Sequence, residues 1–225
     1  MPESIQVDVG SGRVTALIYP ASRAERAGIT LILGHGAGAP QSSGFMVGFA
    51  EALARRGADT VTFNFPYMEE RRRLPDRAET LEACFRDVID AVRAHGDLGT
   101  GRLVIGGKSL GGRMASHVAA AGFPGLAGLV FLGYPLHPPG KPEQLRSRHL
   151  ARIQEPMLFV QGTRDAFGTP EELAPILASL GLRASLHVVE GGDHSFAAPK
   201  RGPVSQPEIY AGIQDEIARW LRARR

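Results

Sequence analysis

The residues of this chain best suited to do chemistry are a serine set between glycines, Gly107-Lys108-Ser109-Leu110-Gly111, and two later side chains, Asp165 and His194. A serine hydroxyl is a poor nucleophile near neutrality, so it needs a base that takes its proton during attack and returns it to the leaving group. His194 is the candidate base. A carboxylate behind the imidazole holds its tautomer and stabilises the imidazolium, and Asp165 is assigned that role. Asp193 is the rival acid, but an immediate neighbour of the histidine cannot readily reach round to its Nδ1, and fixing the loop suits it better. The chemistry expected of such a set is cleavage of an ester or related acyl bond, with a small acyl-bearing molecule as the partner.

Glycines two before and two after the serine are needed where a strand turns sharply into a helix, because neighbouring Cβ atoms would collide there. The Gly107-Lys108-Ser109 triplet also ends a phosphate-binding P-loop, but that loop wants a glycine where Arg102 stands, at the start of a strand. An oxyanion formed at the carbonyl needs two backbone N–H donors. Leu110, directly after the serine, is assigned as one. The second is assigned to Ala37 in His35-Gly36-Ala37-Gly38, with Gly36 as the lesser candidate. His35 is read as a brace for that loop. Tyr67, Met68 and Tyr134, with Arg71, Arg72 and Arg73 nearby, follow strands at the same sheet edge and are the candidates to line the substrate pocket. Lys108 suits a carboxylate-bearing substrate, although packing of its stem on a neighbouring loop is the simpler reading. The remaining histidines show no H-E-x-x-H or H-x-H spacing, so neither a metal nor an organic cofactor is expected.

These residues must be carried by a sheet. Strand-length apolar runs at Thr30–Leu33, Thr60–Phe65, Leu103–Ile105, Leu129–Leu132, Met157–Val160 and Leu186–Val189 read as buried central strands. Helical periodicity alternates with them, the signature of a mostly parallel sheet covered on both faces. Ile5–Val9 and Val14–Tyr19, parted by Gly10-Ser11-Gly12, read as an antiparallel hairpin at the edge. Phe45, Phe49 and Leu53 mark one helix. Leu81, Phe85, Val88, Ile89 and Val92 mark another, opened by an Asp76-x-x-Glu79 capping pair, with Cys84 off its stripe. Met114, Val118 and Ala121 follow the serine, and Ile209, Ile213, Ile217 and Trp220 form a last helix begun by Ser205-x-x-Glu208. Parallel strands deliver the loops of Ser109, Asp165 and His194 to one edge. Residues 134–155, rich in Pro and His, are irregular and too short for a separate lid.

The 225 residues are 43% hydrophobic and 22% charged, enough for one α/β domain over 1–225 with a substantial core. The formal net charge of +3 is mild. Its basic runs, Arg71 to Arg73 and the Arg222, Arg224, Arg225 tail, lack interleaved aromatics, so a nucleic-acid partner is not expected. No apolar run approaches the roughly 20 residues of a membrane span, and the start lacks a leader pattern, which makes the cytoplasm the default. Cys84 is the only cysteine, excluding an intramolecular disulfide.

Through His35-Gly36-Ala37-Gly38, Gly107-x-Ser109-x-Gly111, Asp165 and His194, the chain resembles the α/β-hydrolase superfamily along essentially its whole length. It looks most like the small, lidless bacterial proteins grouped as dienelactone-hydrolase-like. Asn64-Phe65-Pro66-Tyr67, Gly107-Lys108-Ser109 and Gly192-Asp193-His194-Ser195-Phe196 are similar to the branch that shares this domain with a subunit of a eukaryotic chromatin-acetylation complex. True dienelactone hydrolases use a cysteine nucleophile, and Ser109 stands there in this chain, so their substrate does not carry over. The resemblance implies a serine hydrolase. Its second implication, a non-catalytic scaffold retaining the fold, is weaker because a scaffold has no need of a strained elbow.

Overall fold

Burial of Val14, Ala16 and Ile18 in alternation with the half-buried Thr15 and Leu17 folds the N-terminus into a hairpin, β1 (Glu3–Val9) and β2 (Gly12–Tyr19), in register from Glu3 opposite Ile18 to Val9 opposite Gly12. The computed structural model describes residues 2–10, 12–98, 101–197 and 204–223. Ser11 of the hairpin turn and Arg224 and Arg225 of the basic tail lie outside the described residues. The hairpin joins an eight-stranded sheet in the order β1-β2-β4-β3-β5-β6-β7-β8. The other strands are β3 (Ile29–Gly34), β4 (Asp59–Phe63), β5 (Arg102–Lys108), β6 (Leu126–Leu132), β7 (Met157–Gly162) and β8 (Ala184–Val189). From β4 to β8 every neighbouring pair is parallel, and β2 meets β4 antiparallel. This is the α/β-hydrolase fold, with no separate lid among the described residues.

Helices α1 (Gly44–Arg55) and α6 (Gln206–Arg222) cover one face. There Phe49, Leu53, Ile213, Ile217 and Trp220 pack on Leu31, Leu33, Val104, Val130 and Leu158. The other face carries α3 (Ala78–Ala94), α4 (Leu110–Ala120) and α5 (Pro170–Leu180), packed on Ile32, Phe63, Ile105, Phe131 and Phe159. Successive strand residues therefore serve opposite cores, which is why β6 and most of β7 are apolar without alternation. Each such fully buried side chain contributes about 1.5–3 kcal/mol of burial free energy. A single turn, α2 (Pro66–Glu69), follows β4.

Several sequence expectations are corrected. Cys84 belongs to the buried stripe of α3 between Leu81 and Phe85, and burial pushes its thiol up to about 12. Asp76 does not cap α3, whose N-cap is Arg77; its carboxylate accepts from the Tyr67 amide at 2.9 Å and from Arg72 at 2.7 Å. β8 is an edge strand with Val188 exposed, not a central one. Ala121 lies beyond the last turn of α4 and is exposed. The capping pair of α6 forms as expected, with the Glu208 carboxylate accepting from the Ser205 N–H at 2.8 Å and its hydroxyl at 2.7 Å.

Candidate active site

The turn between β5 and α4 holds Ser109 at φ 49°, ψ −110°, a left-handed backbone that a residue bearing a Cβ adopts only under constraint. The constraint is β3. A Cβ at Gly107 or Gly111 would fall on the Gly34 carbonyl oxygen, so only glycine on both sides lets the elbow press against that strand. The Ser109 amide donates to the Leu132 carbonyl at 3.0 Å and its own carbonyl accepts from Arg113 N–H at 3.0 Å, which ties the elbow to β6 and α4. Leu110 opens α4, whose first N–H groups have no intrahelical acceptor.

His194, in the loop after β8, places Nε2 2.8 Å from Ser109 Oγ. Its Nδ1 lies 2.8 Å from Asp165 Oδ2 and 3.0 Å from Oδ1. A buried carboxylate on Nδ1 fixes the proton there and leaves Nε2 as the acceptor facing the hydroxyl. Asp165, only 1% exposed, is itself held by the Phe167 N–H at 2.8 Å and by Gln161 Nε2 at 2.9 Å. Asp193 does not reach the imidazole: its Oδ1 accepts from the Ser195 and Ala197 amides at 2.8 and 2.9 Å, tying the loop that carries His194. Phe167 stacks on the His194 ring with centroids 4.2 Å apart.

The loop after β3 lies against the elbow. A Cβ on Gly36 would sit 3.8 Å from Ser109 Cβ. His35 is buried, donates from Nδ1 to the Gly36 carbonyl at 2.7 Å and accepts the Phe65 amide on Nε2 at 3.0 Å. Both nitrogens are thus occupied in the neutral form, and burial lowers its pKa to about 4. In a trans peptide the N–H points opposite the carbonyl, so holding the Gly36 oxygen also sets the direction of the Ala37 N–H.

A cavity of about 320 Å³ opens at Ser109. Its walls include Ala37, Phe45, Met46, Phe167 and Tyr210, beside Ser109 and His194. Tyr67 and Tyr134, expected in this pocket, are not in it. Both are fully buried, Tyr67 donating to the Ala37 carbonyl at 3.0 Å and Tyr134 to the Arg146 carbonyl at 2.8 Å. Each follows its strand at the active edge, but a large ring with one hydroxyl gains more by packing inward onto a backbone acceptor. Met68 and Arg71 to Arg73 line a separate groove of about 790 Å³ that shares Ala37 and Gly38 with the cavity. Arg72 there is paired with Glu70 and Asp76 at 2.6 and 2.7 Å.

Sequence reasoning missed Phe167, Gln161, Phe45 and Tyr210. Phe167 had a signal, since it lies two residues past the assigned acid in the same turn. Phe45 and Tyr210 were read only as helical stripe or not at all. Lys108 also lines the cavity, with its stem packed on the neighbouring loop at Gly36, while Nζ is buried without a hydrogen-bond partner, 5.5 Å above the Phe196 ring. Burial, against the pull of Asp165 and Asp193, lowers its pKa to about 8.

A family model described as an alpha/beta hydrolase domain matches residues 27–222. Among solved structures, a lidless a/b serine hydrolase from Xanthomonas campestris is similar at 21% identity and a TM-score of 0.77, over 97% of this chain and 94% of that one. A dienelactone hydrolase from Anabaena variabilis is similar at 19% identity and 0.77, over 99% and 97%. An alpha-beta serine hydrolase homologue from Coxiella burnetii is similar at 18% identity and 0.72, over 98% and 96%. At these identities the likeness is one of fold.

Proposed function

We propose that this chain, which belongs to the alpha/beta hydrolase domain family, cleaves small carboxylic esters through an acyl-enzyme on Ser109. One observation carries the reading: a single imidazole lies 2.8 Å from a strained serine hydroxyl through Nε2 and 2.8 Å from a buried carboxylate through Nδ1. Ser109 Oγ attacks the ester carbonyl as His194 Nε2 takes its proton. The tetrahedral oxyanion accepts from the Leu110 and Ala37 N–H groups, and its collapse expels the alkoxide, which receives the proton from Nε2. Water then attacks the acyl group by the same route in reverse, releasing the carboxylic acid and restoring the Ser109 hydroxyl. Asp165 keeps its charge throughout and stabilises the imidazolium. No metal or organic cofactor enters these steps.

The cavity of about 320 Å³, walled by aromatic rings and open without a lid, suits a short or flat acyl group. The groove past Ala37, with Met68 and the arginines, suits the other side of the ester. We place the reaction in the cytoplasm, with the small acyl substrate as the partner. A scaffold reading leaves the cost of the left-handed Ser109 without a purpose. The test is hydrolysis of p-nitrophenyl acetate by the wild type and by Ser109→Ala, before and after dialysis against EDTA. The wild type is expected to be active and indifferent to EDTA, with the variant folded and slower by at least about 10³-fold. Activity that survives in the variant, or that EDTA removes, contradicts the reading.

A further inference from the structure

On the α4 side of the sheet, beginning one helical turn past Ser109 at Arg113, a second cavity of about 510 Å³ is lined by Arg113, Arg146, Arg148, Arg152, His117 and His149. None of its lining residues lines the cavity at Ser109. Among the described residues, no carboxylate lies within ion-pair distance of the four guanidinium groups, and the Nε of Arg113 is buried with no hydrogen-bond partner. The carboxylate that touches the lining, Glu82, is engaged by His117 Nδ1 at 2.7 Å and by Arg86 at 3.6 Å. Four like charges converging on one cavity repel each other, and a fold gains nothing from that arrangement by itself. The cost is visible in its members. Burial first, and then the Arg113 charge, holds Arg146 below its ordinary range; burial, then His117, Arg113 and Arg152, pushes His149 down to about 4.

The walls are also fixed in place. His149 donates from Nε2 to Ser116 Oγ at 2.7 Å, and that hydroxyl donates to the Arg113 carbonyl at 2.6 Å. The His117 and His149 rings meet edge to face at 4.4 Å. Tyr134, buried in the core, anchors the Arg146 carbonyl from below. A guanidinium presents a planar fork of donors that matches phosphate oxygens in pairs and is less strongly hydrated than an ammonium. Four forks suit an anion of several charges, and the cavity has room for more than a bare phosphate.

We propose that this cavity is a binding site for a small molecule bearing a phosphate or pyrophosphate group, separate from the site at Ser109. The proposal does not depend on the hydrolase reading, so its test uses both the wild type and Ser109→Ala. Titration calorimetry with pyrophosphate at low ionic strength is expected to show one saturable site of equal affinity in both, weakening as salt is raised. Arg113→Met with Arg146→Met keeps the stems and removes the forks, and is expected to weaken binding by about tenfold or more. Should that pair fail to fold, Arg148→Gln with Arg152→Gln, at exposed positions, carries the same expectation. Absence of saturable binding, binding unchanged in the folded variants, or equal affinity for citrate would overturn the assignment.

Discussion

Gln161 donates from Nε2 to Asp165 Oδ2 at 2.9 Å while its Oε1 accepts the Tyr134 amide at 2.9 Å, so the carboxylate behind His194 is held by a buried amide bridging two strand ends. The same Nε2 also donates to the Gly168 carbonyl at 2.6 Å. A side chain that fixes the acid acts on the reaction through it. Gln161→Leu is expected to lower kcat about tenfold or more and to cost about 1–3 kcal/mol of stability, because Tyr134 N–H is left without its acceptor. Steady-state kinetics beside urea unfolding checks both, and an unchanged kcat in a destabilised variant would show a structural role alone.

The two carboxylates of the site separate by mutation. Asp165→Asn puts an amide against Nδ1 and is expected to reduce kcat by about 10³ to 10⁴ through the wrong histidine tautomer. Asp193→Asn weakens two amide contacts in the loop and is expected to cost about 1 kcal/mol of stability and less than tenfold in rate. Kinetics on an activated ester decides between them; reversed magnitudes would mean that Asp193 is the acid.

How far such assignments were legible depends on whether the signal was local. The elbow was legible because its glycines are required by contact with Gly34, and Asp165 and His194 because each follows a parallel strand whose end faces the same edge. Which way a side chain turns from that edge was not. Tyr67 and Tyr134 occupy the expected loops but bury their rings, and Phe45 and Tyr210 reach the cavity from helices whose stripes read as core. Cys84 and Asp76 were misplaced for a related reason: helical phase at one position, and a competing partner at the other, are settled by tertiary packing.

His35 gives a pH signature of stability. Its folded pKa, about 4, lies below the ordinary 6.5, so below pH 6.5 the unfolded chain binds a proton that the folded one refuses. Its contribution is fully present above pH 6.5 and is lost as pH falls toward 4, by about 3 kcal/mol for a shift of this size. His35→Gln is expected to flatten the stability profile across that window, measured by urea unfolding at successive pH values. A slope equal to the wild type's would exclude His35 as its source.

Lys108 is a buried cation without a hydrogen-bond partner, and its pKa of about 8 against an ordinary 10.5 records that cost. Lys108→Met removes the charge and keeps the stem, so at pH 7 it is expected to stabilise the protein by about 1–3 kcal/mol. The gain shrinks as pH rises from 8 to 10.5, because the wild-type lysine then gives up its proton in the folded state first. A rise in Tm at pH 7 that fades at high pH supports the account; destabilisation at pH 7 contradicts it.

The central claim is that Ser109 is an activated nucleophile, and the measurement that meets it most directly is covalent labelling with a fluorophosphonate followed by mapping of the adduct. Phosphonylation requires the serine oxygen to attack phosphorus and fluoride to leave, with His194 accepting the proton, so it reports activation without knowledge of the natural substrate. The expected result is one adduct per chain, on the peptide carrying Ser109, absent in Ser109→Ala and strongly slowed in His194→Gln. An unlabelled wild type, or label found on another residue and retained in Ser109→Ala, would contradict the account.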